Sequence, residues 1–199
     1  MSPSSPISSP QSGGSRKRRI DELQRLSVDD FRASEKIAID VVLDNVRSLF
    51  NVGSIFRTAD AFRLRRLHLC GITACPPHPE IHKTALGAEI SMDWQHHDSA
   101  LHCVRLLQAE GYTVLALEQA EGSMLLPASL LPSHGEPLAL VVGHEVHGVQ
   151  QEVVDACDGC LEIPQFGTKH SLNVACAAAI AIWELVRGRL PMPPPPSSH

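Results

Sequence analysis

The chain has 199 residues, 43% of them hydrophobic, enough to build one domain around a substantial core. Its formal net charge of −5 excludes a globally basic polyanion binder, so any such contact has to be local. No apolar run reaches the length a membrane-spanning helix needs, and the first residues lack the apolar core of a signal peptide, which predicts a cytoplasmic protein with no membrane partner.

In chain order, residues 1–15 are almost wholly Ser, Pro, Gly and Gln, a composition that cannot bury enough apolar surface to offset the entropy of ordering. Arg16, Lys17, Arg18 and Arg19 follow directly, so residues 1–19 are expected to form a disordered basic arm. Residues 20–36 read as an extension with a short helix somewhere in 24–33. Strands are expected at 37–43, 66–70, 112–117, 138–142 and 159–163, and helices at 51–62, 99–110, 149–156 and 172–187. This alternation predicts an α/β domain over residues 37–190 with a parallel sheet flanked by helices. The proline run that begins at Pro191 ends the last helix and leaves 191–199 as a disordered tail.

Three strand-to-helix junctions carry polar residues where a ligand would meet them. In the first, Asn51-Val52-Gly53-Ser54-Ile55-Phe56-Arg57 opens a helix that turns Ile55, Phe56 and Ala59 inward. The second, Gly143-His144-Glu145-Val146-His147-Gly148, follows a buried strand, and its two glycines let backbone approach a flat ligand closely. It is not a phosphate loop, because Val149 and Gln150 stand where Lys and Ser/Thr would hold phosphate and Mg²⁺. In the third, Ile163-Pro164 leads through a polar loop to Ser171-Leu172-Asn173-Val174-Ala175 and a helix apolar on almost every face, which is expected to be buried. Between residues 45 and 67 lie Arg47, Arg57, Arg63, Arg65 and Arg66 against the single acid Asp60, a local basic patch.

Together and in this order, the three segments resemble the SpoU (TrmH) family of the SPOUT superfamily, the S-adenosyl-L-methionine-dependent RNA ribose 2′-O-methyltransferases, over about residues 37–190. The resemblance implies a sheet with a C-terminal deep trefoil knot, a homodimer joined through the final helix, and methyl transfer to a ribose 2′-hydroxyl. It implies that Leu117, Glu118, Gly143, His144, Gly148, Ile163 and Leu172 surround S-adenosyl-L-methionine. Arg57 would activate the hydroxyl, with Asn51, Glu145, Ser171 and Asn173 in supporting roles. For those four a capping role fits equally well, and a plain solvated helix face accounts for Arg63, Arg65 and Arg66 as well as RNA contact does. The RNA-binding set is read as Arg16, Lys17, Arg18, Arg19, Arg47, Arg63, Arg65 and Arg66. Residues 110–119 look like the tRNA-guanosine branch of the family, which puts tRNA ahead of ribosomal RNA as substrate.

The rival class is a non-catalytic RNA-binding protein that kept the fold. Arg57, Glu145, Ser171 and Asn173 argue against it, since such a protein has no need of them. A metal site is not expected from spacing: Cys157 and Cys160 are an isolated C-x-x-C pair, and His144 and His147 are three apart, one short of the helical H-E-x-x-H pattern.

Overall fold

The computed structural model describes residues 16–19, 21–23, 25–127, 135–187 and 189. The expectations for residues 1–15 and 191–199 therefore lie outside the described residues. Strands β1 (Ile37–Asp44), β2 (Leu64–Cys70), β3 (Trp94–His97), β4 (Thr113–Leu117), β5 (Met124–Leu125), β6 (Leu138–Val142) and β7 (Gly159–Glu162) form one sheet. Its order is β3-β2-β1-β6-β4-β7-β5, and every neighbouring pair is parallel.

Helices cover both faces. On one face lie α2 (Leu49–Ala61), α3 (Pro79–Ala85), α4 (Ala88–Ser91) and α7 (Val174–Val186), packed on a core that includes Leu43, Phe56, Leu67, Leu140 and Ile182. On the other, α5 (Ala100–Ala109) and α6 (Gln151–Ala156) cover Val42, Val114, Ala139 and Val141. The central β6 shows why its sequence is a continuous apolar run: Leu138, Leu140 and Val142 face the first core while Ala139 and Val141 face the second, and all five are buried. Each large side chain so buried contributes about 1.5–3 kcal/mol. A short helix α1 (Val28–Ala33) is capped by the Ser27 hydroxyl, which accepts from Asp30 N, and buries Phe31 against the first core. Leu26, by contrast, is exposed.

The strands extend toward their C-terminal ends at Asp44, Leu117, Val142 and Glu162, side by side in the middle of the sheet. Chain order reverses there, because β2 and β3 run outward on one side of β1 while β4 and β7 lie beyond β6 on the other. Open α/β sheets bind ligands at such a switch point.

Several expected boundaries shift, each for a local reason. Helix α7 begins at Val174 because Asn173 is its N-cap, and α6 begins at Gln151 because Gly148 turns the chain in the left-handed region (φ 66°) just before it. Helix α7 is also less buried than its composition predicts: Cys176, Ile180 and Trp183 form an exposed side, with Trp183 at 51% exposure. The expected elements omit α3, α4, β3 and β5 altogether.

Candidate active site

The site is built on the N-terminus of α2. Ser48 caps that helix, its hydroxyl accepting from Asn51 N, and the free backbone N–H groups just outside the first turn need partners. Glu145 supplies them: its carboxylate accepts from Arg47 N (3.0 Å) and Ser48 N (2.8 Å), and also from Asn51 Nδ2 (2.8 Å). The Asn51 carbonyl oxygen in turn accepts from Asn173 Nδ2 (3.0 Å), and Asn173 Oδ1 caps α7 by accepting from Ala175 N and Cys176 N. Glu145, Asn51 and Asn173 come from the three separate junctions, so one hydrogen-bonded chain joins all three. Burial alone would raise the Glu145 carboxyl, but the hydrogen bonds from Asn51, Ser48 and Arg47 outweigh it and hold the group below its usual range.

The loop between β6 and α6 closes on itself. His144 N donates to Gly148 O (2.9 Å) and Gly148 N donates to His144 O (2.8 Å), while Val146 N donates to His144 Nδ1. Packing of the loop on itself and on Glu118 also calls for glycine at both positions. A Cβ on Gly143 would stand 2.1 Å from Gly148 C and 2.2 Å from Val149 N, and one on Gly148 would stand 2.0 Å from Glu118 Oε2. Glu118 holds this turn by accepting from Val149 N (3.0 Å), and also accepts from Gln119 N (2.9 Å). Gln119 Nε2 donates to His170 O (2.7 Å), tying the end of β4 to the third loop.

These loops enclose a cavity of about 320 Å³. Leu117, Glu118, Gly143, Gly148, Ile163 and Leu172 line it, as do Glu145 and Ser171. His144 does not; it braces the loop from behind. Asn51 and Asn173 hold the wall without lining it. The apolar lining includes Val142, Leu161 and Ala177, and the acidic side chains in the wall are Glu118, Glu145 and Glu162. A slot of mixed polar and apolar lining with carboxylates in its wall suits a ligand carrying positive charge and disfavours a polyphosphate. Behind the wall the buried Asp44 accepts from Gln150 N and Asn45 Nδ2, and Asn45 Nδ2 also donates to Gln150 Oε1. Burial raises the Asp44 carboxyl above its usual range. Asp44 and Asn45, at the end of β1 just ahead of the first junction, thus carry a structural role that their sequence context does not single out.

Arg57 is exposed on α2, does not line the cavity, and makes no hydrogen bond or ion pair among the described residues. Arg47 is exposed beside the N-terminus of α2. Arg63 occupies the turn into β2 in a left-handed conformation (φ 52°), and Arg66 is half-buried on β2. Arg65 is engaged inside the domain: Nε and Nη2 donate to Asp40 (3.0 and 3.2 Å), and its guanidinium lies 4.6 Å from the Tyr112 ring centroid. Lys17 and Arg18 are exposed, and Arg16 pairs with Glu22 (3.1 Å), whose other oxygen accepts from Arg19 N.

A family model described as the SpoU rRNA methylase family matches residues 38–183, which takes in all three junctions and every strand of the sheet. The chain belongs to this family. Among its members, the tRNA (guanosine(18)-2′-O)-methyltransferase of Thermus thermophilus is 30% identical over 175 residues, covering 88% of this chain and 84% of that protein. The 23S rRNA (guanosine-2′-O-)-methyltransferase of Vibrio parahaemolyticus is 28% identical over 169 residues, covering 85% of this chain and 67% of that one. The S-adenosyl-L-methionine-bound structure of an rRNA methyltransferase from Sinorhizobium meliloti superposes with a TM-score of 0.72 at 29% identity, over 81% of this chain and 61% of that one. The chain thus spans about three fifths of that solved relative, 61%.

Proposed function

We propose that the protein transfers a methyl group from S-adenosyl-L-methionine to a ribose 2′-hydroxyl of RNA, with tRNA as the preferred substrate. The observation that carries this reading is the Glu145–Asn51–Asn173 chain, which fastens all three junctions around one cavity. The cavity fits the cofactor: Leu117, Ile163 and Leu172 offer apolar walls, and Glu118, Glu145 and Glu162 suit a ligand with a sulfonium and an ammonium group. When bound, S-adenosyl-L-methionine supplies the methyl group as an electrophile. The protein's task is then to hold the ribose and to weaken the grip of its hydroxyl on the proton.

Arg57 is assigned to that hydroxyl. A guanidinium offers N–H donors and no acceptor, so Arg57 acts by donating hydrogen bonds to the oxygen and its neighbouring phosphate rather than by taking the proton itself. Ser171 lies in the cavity wall and borders the reacting ribose, while Asn51, Glu145 and Asn173 fix the loops. Because Arg57 does not line its own subunit's cavity, it serves the cavity of a second copy in a homodimer. The exposed side of α7, with Ile180 and Trp183, and the ring of Phe62 5.8 Å from Trp183 supply an apolar surface for that contact.

Arg47, Arg63 and Arg66, with the arm cations Arg16, Lys17, Arg18 and Arg19, would meet phosphates. A trefoil knot over the C-terminal segment is part of this reading, carried by membership of the family. The domain is read as residues 37–190, preceded by an arm over 1–19 and an extension over 20–36, with a tail over 191–199. No described helix is long and apolar enough to cross a membrane. The tRNA preference leans on the relative from Thermus thermophilus, which matches over the larger share of its own length; ribosomal RNA is the alternative. Incubating the protein and S-adenosyl-L-methionine with unmodified tRNA and ribosomal RNA, then mapping 2′-O-methyl groups by mass spectrometry, separates the two.

A further inference from the structure

On the face of the sheet opposite the α2–α7 layer, and away from the cavity, polar side chains converge that methyl transfer does not use. His68 lies on β2, His97 ends β3 and Cys103 lies on α5, so three elements bring them together. One ligand atom from each falls within 4.8 Å of the other two. His68 and Cys103 are buried, and His97 is half-exposed at the edge, which leaves one open side. We propose that His68, His97 and Cys103 form a binding site for a zinc-type transition-metal ion, with a fourth position open to water beside His97.

The geometry favours this over a simple polar cluster. His68 Nδ1 and His97 Nε2 face each other at 2.9 Å, and His68 Nε2 lies 2.9 Å from Asp40 Oδ2. Asp40 is fully buried and accepts the Nε2 proton, which frees the Nδ1 lone pair to point at the shared space. A carboxylate on the far nitrogen of a ligating histidine is the usual outer support of a zinc site. Asp40 is itself fixed by the fork of Arg65, so the orientation of His68 is set before any ion arrives. Metal–nitrogen bonds of about 2.0–2.1 Å at a tetrahedral centre place two nitrogens about 3.3 Å apart, a few tenths of an ångström wider than the pair stands. A small outward shift of the half-exposed His97 makes that room. On binding, the Cys103 thiol proton leaves to solvent and His97 shifts its single ring proton from Nε2 to Nδ1, so the thiolate and two neutral rings bind the ion through Cys103 Sγ, His68 Nδ1 and His97 Nε2. One thiolate and two imidazoles suit Zn²⁺ and its spectroscopic stand-in Co²⁺, whereas Mg²⁺ and Ca²⁺ want oxygen ligands. Spacing along the chain could not reveal the site, because 29 residues separate His68 from His97.

The test uses the full chain, reduced and freed of metal, titrated with ZnCl2 by calorimetry and with CoCl2 by absorption. The expected result is one equivalent bound, with a thiolate-to-cobalt charge-transfer band. Cys103→Ser should abolish that band, and His97→Ala should weaken zinc by about 100-fold or more. Both variants should bind S-adenosyl-L-methionine as wild type does, which also shows that they are folded. Absence of stoichiometric zinc binding by wild type overturns the proposal. So does binding that survives unchanged in both variants, since the ion would then sit elsewhere, for example at Cys157 and Cys160.

Discussion

Glu145 is the residue on which the site turns, because one carboxylate satisfies two backbone donors at the start of α2 and fixes Asn51. Hydrogen bonds to a charged group are worth about 1.5–3 kcal/mol each when buried, and the half-buried setting here favours the lower end. Glu145→Ala should therefore cost about 1–3 kcal/mol in thermal or denaturant unfolding and impair methyl transfer as the loops loosen. Its carboxyl is held below the usual range in the folded state, so its contribution is present above the ordinary value of 4.5 and fades as pH falls through the lowered one. The wild-type stability curve should thus fall more steeply in acid than that of Glu145→Gln, as unfolding across a pH series below 5 would register. Arg57 is the converse case, exposed and without partners among the described residues, so its loss should leave folding untouched. Arg57→Ala should abolish turnover while keeping S-adenosyl-L-methionine affinity within a few-fold, and Arg57→Lys should fail too, since a point charge does not replace a planar fork. Wild-type turnover in either variant would remove Arg57 from the reaction.

At the scale of elements, each loop is held by the helix or strand it joins. Asn173→Ala removes the cap of α7 and the link to Asn51 together, so a stability loss of about 1 kcal/mol should accompany a larger fall in kcat than in cofactor affinity. Gly143→Val is expected to behave otherwise than a ligand-facing glycine would. Its Cβ meets the backbone of Gly148 and Val149, so the melting temperature and S-adenosyl-L-methionine binding should drop together; normal melting with lost binding would show that the ligand, not the loop, occupies that space. The same distinction marks what was legible in the sequence. The buried strands read clearly because β4 and β6 are almost wholly apolar on both faces and β1 is interrupted only by Asp40 and Asp44, whereas the start of α7 reads two residues early because Ser171 and Asn173 are both plausible caps and the bond from Asn173 to Asn51 is not local. Helix α3 did not read at all, although His78 at its N-cap and Pro79 at its first position were usable signals, because seven residues with two buried side chains carry little periodicity. Strand β3, Trp94-Gln95-His96-His97, is a short polar edge strand that owes its form to pairing with β2. The cavity-lining loops were legible, whereas the engagement of Arg65 by Asp40 joins residues 25 apart on neighbouring strands, which no local pattern announces.

Across the whole molecule, an acidic body with a few arginines near one site implies that RNA affinity is assembled from separate cationic patches. Deleting residues 1–19 should leave cofactor binding intact, weaken RNA binding, and reduce the slope of log affinity against log salt by up to about 4 units, one per cation removed. An unchanged slope would show that the arm does something else. On the homodimer proposed above, in which Arg57 of one copy serves the cavity of the other and the exposed side of α7 forms the contact, Trp183→Asp should yield a monomer by sedimentation that binds RNA weakly and does not turn over. The central claim is methyl transfer to a ribose in RNA, and the most direct test is to incubate the intact protein with S-adenosyl-L-methionine and unmodified tRNA, then read ribose methylation by mass spectrometry. Wild-type protein should place a 2′-O-methyl group at a defined tRNA position and Arg57→Ala none; cofactor binding without methylation of either tRNA or ribosomal RNA would rule out methyl transfer.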